Sequence, residues 1–171
     1  MKYIIGDLIK MAESGQFDVI VHGCNCFCTM GGGIAAVIAN NFPHAYEEDC
    51  KTIKGNRNKL GSYSSVKAAK NNTFTIVNAY TQYTYWDVND MLSYPAVEEV
   101  FLKIARDFKG KRIGIPLIGA GLARGDWGKI VRLIEKSGVE NITTVVFDTS
   151  TFNKIVAPTL DSTLDSLSYE V

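Results

Sequence analysis

The sequence lacks several features that would assign it to a familiar class of protein. No apolar run is long enough to cross a bilayer, and the opening residues, MKYIIGDLIKMAESG, lack the long apolar segment of a secretory signal. The net charge is zero, from 18 basic and 18 acidic residues, which gives no sign of a polybasic surface for nucleic acid. We therefore expect a cytoplasmic protein that does not bind membranes.

Cysteine is scarce and does not have the spacing of a disulfide framework or a zinc site. Cys24, Cys26 and Cys28 occupy every second position, and Cys50 lies apart. Zinc knuckles usually pair ligands as CxxC and repeat the pair, and neither feature is present even when His22 is counted. We predict reduced thiols that pack as small apolar residues or line a pocket, and no bound metal.

Two glycine-rich loops are the most informative features that the sequence does contain. Gly31 to Gly33 lead into a helix-like segment, and Gly119 to Gly121 lie within IPLIGAGLARGDW. Backbone N–H groups of such loops can converge on an anion, and a following helix N-terminus adds favourable potential. Neither loop has the Lys-Ser/Thr ending of a P-loop or the dinucleotide pattern GxGxxG. Either loop alone could be a tight turn, but the two together favour an anion site, with phosphate as the obvious guest.

Strand and helix patterns alternate along the chain. Strands are predicted at 2–5, 18–22, 61–68, 74–80, 112–118 and 141–147, with a hairpin turn at 70–72. Helices are predicted at 33–42, 93–108 and 127–136. This alternation predicts an α/β domain at 1–152, with helices on both faces of a mixed sheet and ligands beyond the carboxyl ends of the strands. The tail, 153–171, is expected to form a short helix or to remain loosely ordered.

Three polar residues near the loops are candidates for catalysis. His22, at the end of a strand, could act as general acid or base or hydrogen-bond a ribose, or it could be a structural histidine. Asn25 could contact a ligand or brace its loop. Asp126 could contact ribose or activate water, although an aspartate just before a helix is also an ordinary N-terminal cap.

Four ordered segments resemble the macrodomain family, whose members bind ADP-ribose. The segments are Gly6-Asp7-Leu8 after the first strand, His22 to Asn25 after the second, Gly31 to Ala35 opening a helix, and Ile118 to Leu122 after the penultimate strand. The resemblance runs from Lys2 to about Phe147. It implies a three-layer α/β/α fold around a mixed, mostly parallel six-stranded sheet.

The resemblance also implies a role for each segment. Asp7 would hydrogen-bond the adenine amino group, Leu8 would line the adenine pocket, and Phe147 would lie near adenine. Asn25 would face the distal ribose. The phosphates and the distal ribose would be held by Gly31, Gly32, Gly33, Ile34, Ala35, Ile118, Gly119, Ala120, Gly121 and Leu122.

Within the family, the run HGCNC…MGGGIA followed by Phe42-Pro43 most resembles the ADP-ribose 1″-phosphate phosphatase branch. The implied reaction is hydrolysis of the phosphate monoester of ADP-ribose 1″-phosphate without a cofactor, in which His22 or Asp126 assists proton transfer. The expected partners are ADP-ribose, ADP-ribose 1″-phosphate and, as further candidates, ADP-ribosylated macromolecules. We expect a monomer.

Two other functions stay open at this point. The first is a non-catalytic reader that holds ADP-ribose. The second is a hydrolase that removes ADP-ribose from modified protein or nucleic acid, but the branch known for this reaction uses a lysine in a middle strand and an aspartate after the second loop. The corresponding strand, VNAYTQ at 77–82, contains no lysine, and Ala123 follows Leu122.

Overall fold

A computed structural model describes residues 1–69 and 73–161. Its strands are β1 (Lys2–Ile5), β2 (Val19–Cys24), β3 (Tyr63–Ala69), β4 (Thr73–Tyr80), β5 (Ile113–Ile115) and β6 (Ile142–Val146). The central strands are apolar and buried almost throughout, as expected where helices cover both faces of a parallel sheet. All six predicted strands are confirmed. The largest difference is at β5, where Pro116 follows the last paired residue, because proline has no N–H to continue a ladder.

The strands form one sheet in the order β1-β6-β5-β2-β4-β3. The pairs β1/β6, β6/β5, β5/β2 and β2/β4 are parallel, and β3 runs antiparallel to β4. The predicted mixed, mostly parallel sheet is therefore confirmed, as is the pairing of the hairpin. Its predicted turn at 70–72 lies outside the described residues.

The helices include three that the sequence patterns did not predict. They are α1 (Leu8–Glu13), α2 (Gly33–Asn41), α3 (Pro43–Cys50), α4 (Tyr94–Asp107), α5 (Trp127–Lys136) and α6 (Thr149–Thr151), of which α1, α3 and α6 are the additions. Pro43 lies two residues after the end of α2 and is the first residue of α3. Proline suits that position because the first turn of a helix needs no N–H donor.

Two apolar cores lie on opposite faces of the sheet. Successive residues of β2 serve different cores: Val19 and Val21 pack with α4 and α5, whereas Ile20 packs with α1, α2 and α3. This alternation follows from the two-residue period of a strand. The result is the expected α/β/α arrangement of three layers.

The described part of the predicted tail is helical and packs against the domain. A π-helical turn, Phe152–Val156, follows α6, and helix continues to residue 161. Val156 is fully buried beside α5, and the Phe152 ring contacts Tyr3 edge-on at 6.2 Å. The predicted boundary at residue 152 thus falls inside a packed helical segment. The rest of the tail, 162–171, lies outside the described residues.

The parallel strands bring the family-like segments to one edge of the sheet. Asp7 follows β1, Asn25 follows β2, Pro116 begins the segment after β5, and Phe147 follows β6. All of these positions lie beyond carboxyl ends, where open α/β sheets bind ligands. Within 1–69 and 73–161, no helix is both long enough and apolar enough to span a membrane.

Candidate functional site

The two glycine-rich loops contact each other. A Cβ atom placed on Gly32 would lie 3.0 Å from Cδ1 of Leu122, and one on Gly33 would lie 3.7 Å from the same atom. Leu122 is itself 71% exposed. The structure therefore brings the loops after β2 and β5 together, with the Leu122 side chain lying across the first loop at the protein surface.

The first loop presents unpaired backbone donors. Gly32 is the N-cap residue of α2 and supplies no side-chain cap, and among the described residues no acceptor pairs with the N–H groups of Gly33, Ile34 or Ala35. Gly33 has a φ of +54°, a left-handed conformation that glycine adopts without steric penalty. A Cβ on Gly31 would meet no atom within 4 Å. This arrangement is suited to an anion, because free N–H groups at a helix N-terminus attract negative charge.

The second loop is folded back on itself by short hydrogen bonds. The N–H of Gly125 donates to the carbonyl of Gly119 at 2.7 Å, and the N–H of Arg124 donates to that of Gly121 at 3.0 Å. A Cβ on Gly125 would lie 2.6 Å from the Gly119 carbonyl oxygen, so this closure requires glycine. In the described part of the chain, the N–H groups of Gly121 and Leu122 have no acceptor. The second loop thus adds further donors beside the first.

The loop residues differ in what they offer a ligand. Ile118 is 2% exposed and its side chain packs in the core above Gly23, so it can offer a ligand only backbone atoms. Ala120, Ile34 and Ala35 are half-buried. Leu8 is buried in the core shared with α2 and α3, whereas Phe147 is 77% exposed beyond β6. An exposed ring at this edge is available to stack on a planar ligand.

Asn25 braces its own loop. Its Nδ2 donates to the Thr29 carbonyl and to Thr29 Oγ1, at 3.0 and 2.8 Å, and its Oδ1 accepts from the N–H of Phe27 at 2.8 Å. The side chain is mostly buried, with a residual 8% exposure. The bracing role considered from the sequence is therefore present in the structure. The orientation of this amide depends on where residues 26–29 lie.

His22 faces the interior beneath α2 and α3. The side chain has no exposed surface, and its Nε2 lies 2.7 Å from Oδ1 of Asn78. Asn78 donates from Nδ2 to the Ala45 carbonyl, which leaves its Oδ1 to accept, so the histidine carries its proton on Nε2. Burial lowers the pKa of His22 to about 4, although the hydrogen bond to Asn78 partly opposes this shift. The structure therefore does not bring the His22 imidazole to the loop surface.

The two candidate aspartates both cap helices. Oδ1 of Asp7 accepts from the N–H groups of Ile9 and Lys10, each at 3.0 Å, at the start of α1. Oδ1 of Asp126 accepts from the N–H of Lys129 at 3.2 Å, at the start of α5. Asp126 is exposed and follows the closing residue of the second loop. Each carboxylate is thus fixed at a helix N-terminus next to a loop of the site.

Comparison with known proteins identifies the family of this chain. The model of the Macro domain family matches residues 21–134, which include most of β2, both glycine-rich loops and most of α5. The chain belongs to the Macro domain family. This agrees with the resemblance found in the sequence motifs.

Individual relatives are consistent with this assignment. The macrodomain is 34% identical over 141 residues to an uncharacterized 17.5 kDa protein of Enterobacteria phage T4, covering 79% of this chain and 88% of the phage protein. It is 28% identical over 142 residues to the ADP-ribose 1″-phosphate phosphatase of Candida albicans, covering 74% and 86% respectively. The solved macrodomain of Oceanobacillus iheyensis with ADP has the same fold, with a TM-score of 0.65, 13% identity and coverage of 96% and 91%.

A buried polar network lies behind the first loop of the macrodomain, and sequence reasoning missed it. Asn78 Nδ2 lies 3.1 Å from Ser64 Oγ, which lies 2.9 Å from the Tyr80 hydroxyl, and that hydroxyl donates to Asp49 Oδ1 at 2.8 Å. Lys59 Nζ lies 3.7 Å from the same carboxylate oxygen. The available signal was the polar residues Ser64 and Asn78, which are paired across β3 and β4 on a face that is otherwise apolar.

The electrostatics of this network follow from its burial. Burial raises the pKa of Asp49, against the hydrogen bond from Tyr80 and the charge of Lys59, and it also raises the pKa of Tyr80. The Oδ2 atom of Asp49 is buried without a hydrogen-bond partner. Burial likewise raises the pKa of the Cys24 thiol, so this cysteine has little thiolate character.

Cys24 and Cys26 pack as small side chains in the same region, Cys28 is half-buried, and Cys50 is exposed. Cys24 and Cys26 are buried with Met30 and Tyr80, and all four cysteines are free thiols. Among the described residues, no group of three or more His, Cys, Asp or Glu side chains is placed to hold a metal ion. The macrodomain therefore offers a ligand backbone donors and loop surfaces at this edge.

Proposed function

We propose that this macrodomain binds ADP-ribose and hydrolyses the phosphate monoester of ADP-ribose 1″-phosphate. The observation that carries the proposal is the meeting of two glycine-rich loops with unpaired N–H groups at the carboxyl edge of the sheet. The name of the Candida albicans relative and the ADP in the Oceanobacillus iheyensis structure support this choice of ligand. Cytoplasmic location and a monomeric state stay predictions.

The diphosphate is assigned to the two loops. The donors of Gly33 to Ala35 and of Gly121 and Leu122 would face it from both sides, because the loops contact each other through Leu122. Adenine is assigned to the surface between Asp7 and Phe147, beyond the neighbouring strands β1 and β6. The exposed Phe147 ring offers a stacking surface, and Asp7 offers a carboxylate to the adenine amino group.

The distal ribose and its phosphate are assigned to the space between Asn25 and Asp126. Hydrolysis adds water to the phosphorus atom and breaks its bond to the sugar oxygen, which takes up a proton as it leaves. Among the three predicted catalytic residues, Asp126 is the exposed carboxylate and becomes the candidate proton carrier, while Asn25 orients the ribose. We assign His22 a supporting role, because its buried imidazole contacts Asn78 and Cys24. Positioning and backbone donors would supply most of the rate enhancement.

The burial of His22 and the capping by Asp126 also favour a second candidate, a reader that holds ADP-ribose without turnover. In that case the loops would bind the diphosphate in the same way, and no group would transfer a proton.

A phosphorus NMR time course with ADP-ribose 1″-phosphate separates these functions. Conversion of the monoester signal to inorganic phosphate by the parent protein, but not by Gly32→Glu, supports the phosphatase. Perturbed diphosphate signals without conversion support the reader. Unchanged signals throughout would contradict the assignment of ADP-ribose to this site.

A further inference from the structure

Lys59 is buried directly behind the segment that carries Asn25. Its side chain is 7% exposed, and Nζ donates to the carbonyl of Cys26 at 3.3 Å. The same carbonyl accepts from the N–H of Gly55 at 2.7 Å. Two donors from the turn before β3 therefore hold one carbonyl of the segment 25–28.

The ammonium group has a defined set of neighbours. Nζ lies 3.7 Å from Asp49 Oδ1, 3.7 Å from Cys28 Sγ and 4.4 Å from the centroid of the Tyr80 ring. Asp49 adds a second link, since its backbone carbonyl lies 3.5 Å from Cys28 Sγ. The Lys59–Asp49 pair is thus connected to the segment at both Cys26 and Cys28.

Stability alone does not explain a buried ion pair at this place. Replacing such pairs by packed apolar residues is often neutral or stabilising, because both charges lose their hydration when buried. Here one carboxylate oxygen has no hydrogen-bond partner, so the pair is not fully compensated. Its distinguishing effect is geometric, because Nζ fixes the Cys26 carbonyl between Asn25 and Phe27.

We propose that Lys59, held by Asp49, is a positioning residue for Asn25, and hence for the distal ribose. The Cys26 carbonyl and the Phe27 N–H belong to one planar peptide group, so they move together. Because Asn25 Oδ1 accepts from that N–H, a shift of the Cys26 carbonyl also turns the side-chain amide of Asn25. Lys59 does not contact the ligand. This inference rests on the proposed function, since it needs the distal ribose to lie at Asn25.

The test compares two ligands that differ in the distal ribose. Lys59→Met removes the donor atom and keeps an unbranched side chain of nearly the same length. It should weaken binding of ADP-ribose about tenfold, because the hydrogen bonds from Asn25 to the distal ribose would be misaligned. The affinity for ADP, which lacks that ribose, should stay within about twofold of the parent's. A purely structural role would weaken both ligands equally. Equal losses, or no loss, overturn the proposal.

Matched variants keep the result interpretable. Lys103→Met is the control, because Lys103 Nζ also donates to a backbone carbonyl, but to that of Gly61, at 2.8 Å, and not to the segment 25–28. It should leave both affinities unchanged. If Lys59→Met does not fold, the double variant Lys59→Met/Asp49→Asn takes its place, because it removes both charges of the pair.

A measurement without ligand separates this inference from the proposed function. The side-chain amide resonances of Asn25 should shift in Lys59→Met and stay in place in Lys103→Met. If the parent protein binds neither ADP nor ADP-ribose, the proposed function fails, and these resonances alone decide whether Lys59 positions Asn25. Unshifted resonances would refute the positioning role.

Discussion

The buried imidazole of His22 should make the stability of this macrodomain depend on pH. In the folded protein the ring is fully buried and its pKa is lowered to about 4, whereas in the unfolded chain it returns to its ordinary value of 6.5. Protonation therefore favours the unfolded state. The contribution of the neutral His22 ring to the free energy of unfolding is fully present above pH 6.5. It declines as the pH falls from 6.5 to about 4 and is lost below about pH 4.

The size of this effect follows from the displacement of the pKa. Each pH unit between the two pKa values changes the free energy of unfolding by about 1.4 kcal/mol. The whole interval between the two pKa values therefore corresponds to a loss of about 3 kcal/mol. This is a large fraction of the roughly 5–15 kcal/mol by which domains are stable. His22 is well placed to show it, because its burial is complete and its hydrogen-bond partner, Asn78, is uncharged.

The measurement is urea unfolding of the parent and of His22→Gln at several pH values between about 7 and about 4. Glutamine can still donate to Asn78 but does not titrate. The parent should lose about 3 kcal/mol more than the variant across this range. Asp49 and Asp18 also have shifted pKa values, but both are present in each protein and cancel in the difference.

His44→Gln is the matched control, because the other histidine is exposed on α3. His44→Gln keeps His22, so it should retain the parent's additional loss of stability between pH 7 and pH 4. If the parent and His22→Gln change in parallel between pH 7 and pH 4, the imidazole is not held neutral by burial and the reasoning is refuted.

Three further predictions concern the candidate site. Gly32→Glu should fold normally but lose ADP-ribose affinity by about a hundredfold or more, since a carboxylate would occupy the phosphate space; calorimetric titration showing parental affinity would contradict the loop assignment. Asp126→Asn should keep the α5 cap and its melting temperature but lose turnover, whereas Asp126→Ala should also lose about 1 kcal/mol of stability; full turnover in Asp126→Asn would exclude proton transfer by this carboxylate. Phe147→Ala should weaken adenine binding by roughly tenfold, measured against Leu102→Ala, the truncation of another exposed apolar side chain, on α4, and equal affinities would move adenine elsewhere.

Strand periodicity and glycine spacing were sufficient to predict most of the fold. All six strands and the order of the family-like segments could be predicted, because short apolar runs bounded by turn residues indicate buried strands and parallel strands share a carboxyl edge. Helix α3 was missed because Pro43 carries two signals, the end of one helix and the first turn of the next. Helix α1 was missed because its six residues are too short for a clear helical period.

The site was predicted less completely than the fold, since sequence does not show which face of a strand is covered. His22 and Asn25 are close in sequence, yet the imidazole of His22 points under α3 and the amide of Asn25 braces a loop. Lys59 and Asp49 are ten residues apart, and nothing in their spacing indicates that α3 and the turn before β3 bury both beside Tyr80. Long-range burial of charge depends on packing, and local patterns do not record it.

The position of β1 in the sheet has a consequence for synthesis of the protein. Among the described strands, β1 (Lys2–Ile5) pairs with β6 alone, whose residues Ile142–Val146 come near the end of the described chain. Because β1 is translated before the other described strands and β6 after them, β1 must wait for β6 before it can be hydrogen-bonded into the sheet. Asp7 and Phe147 follow these two strands, so the assigned adenine half of the site should be assembled last, after both glycine-rich loops have been translated.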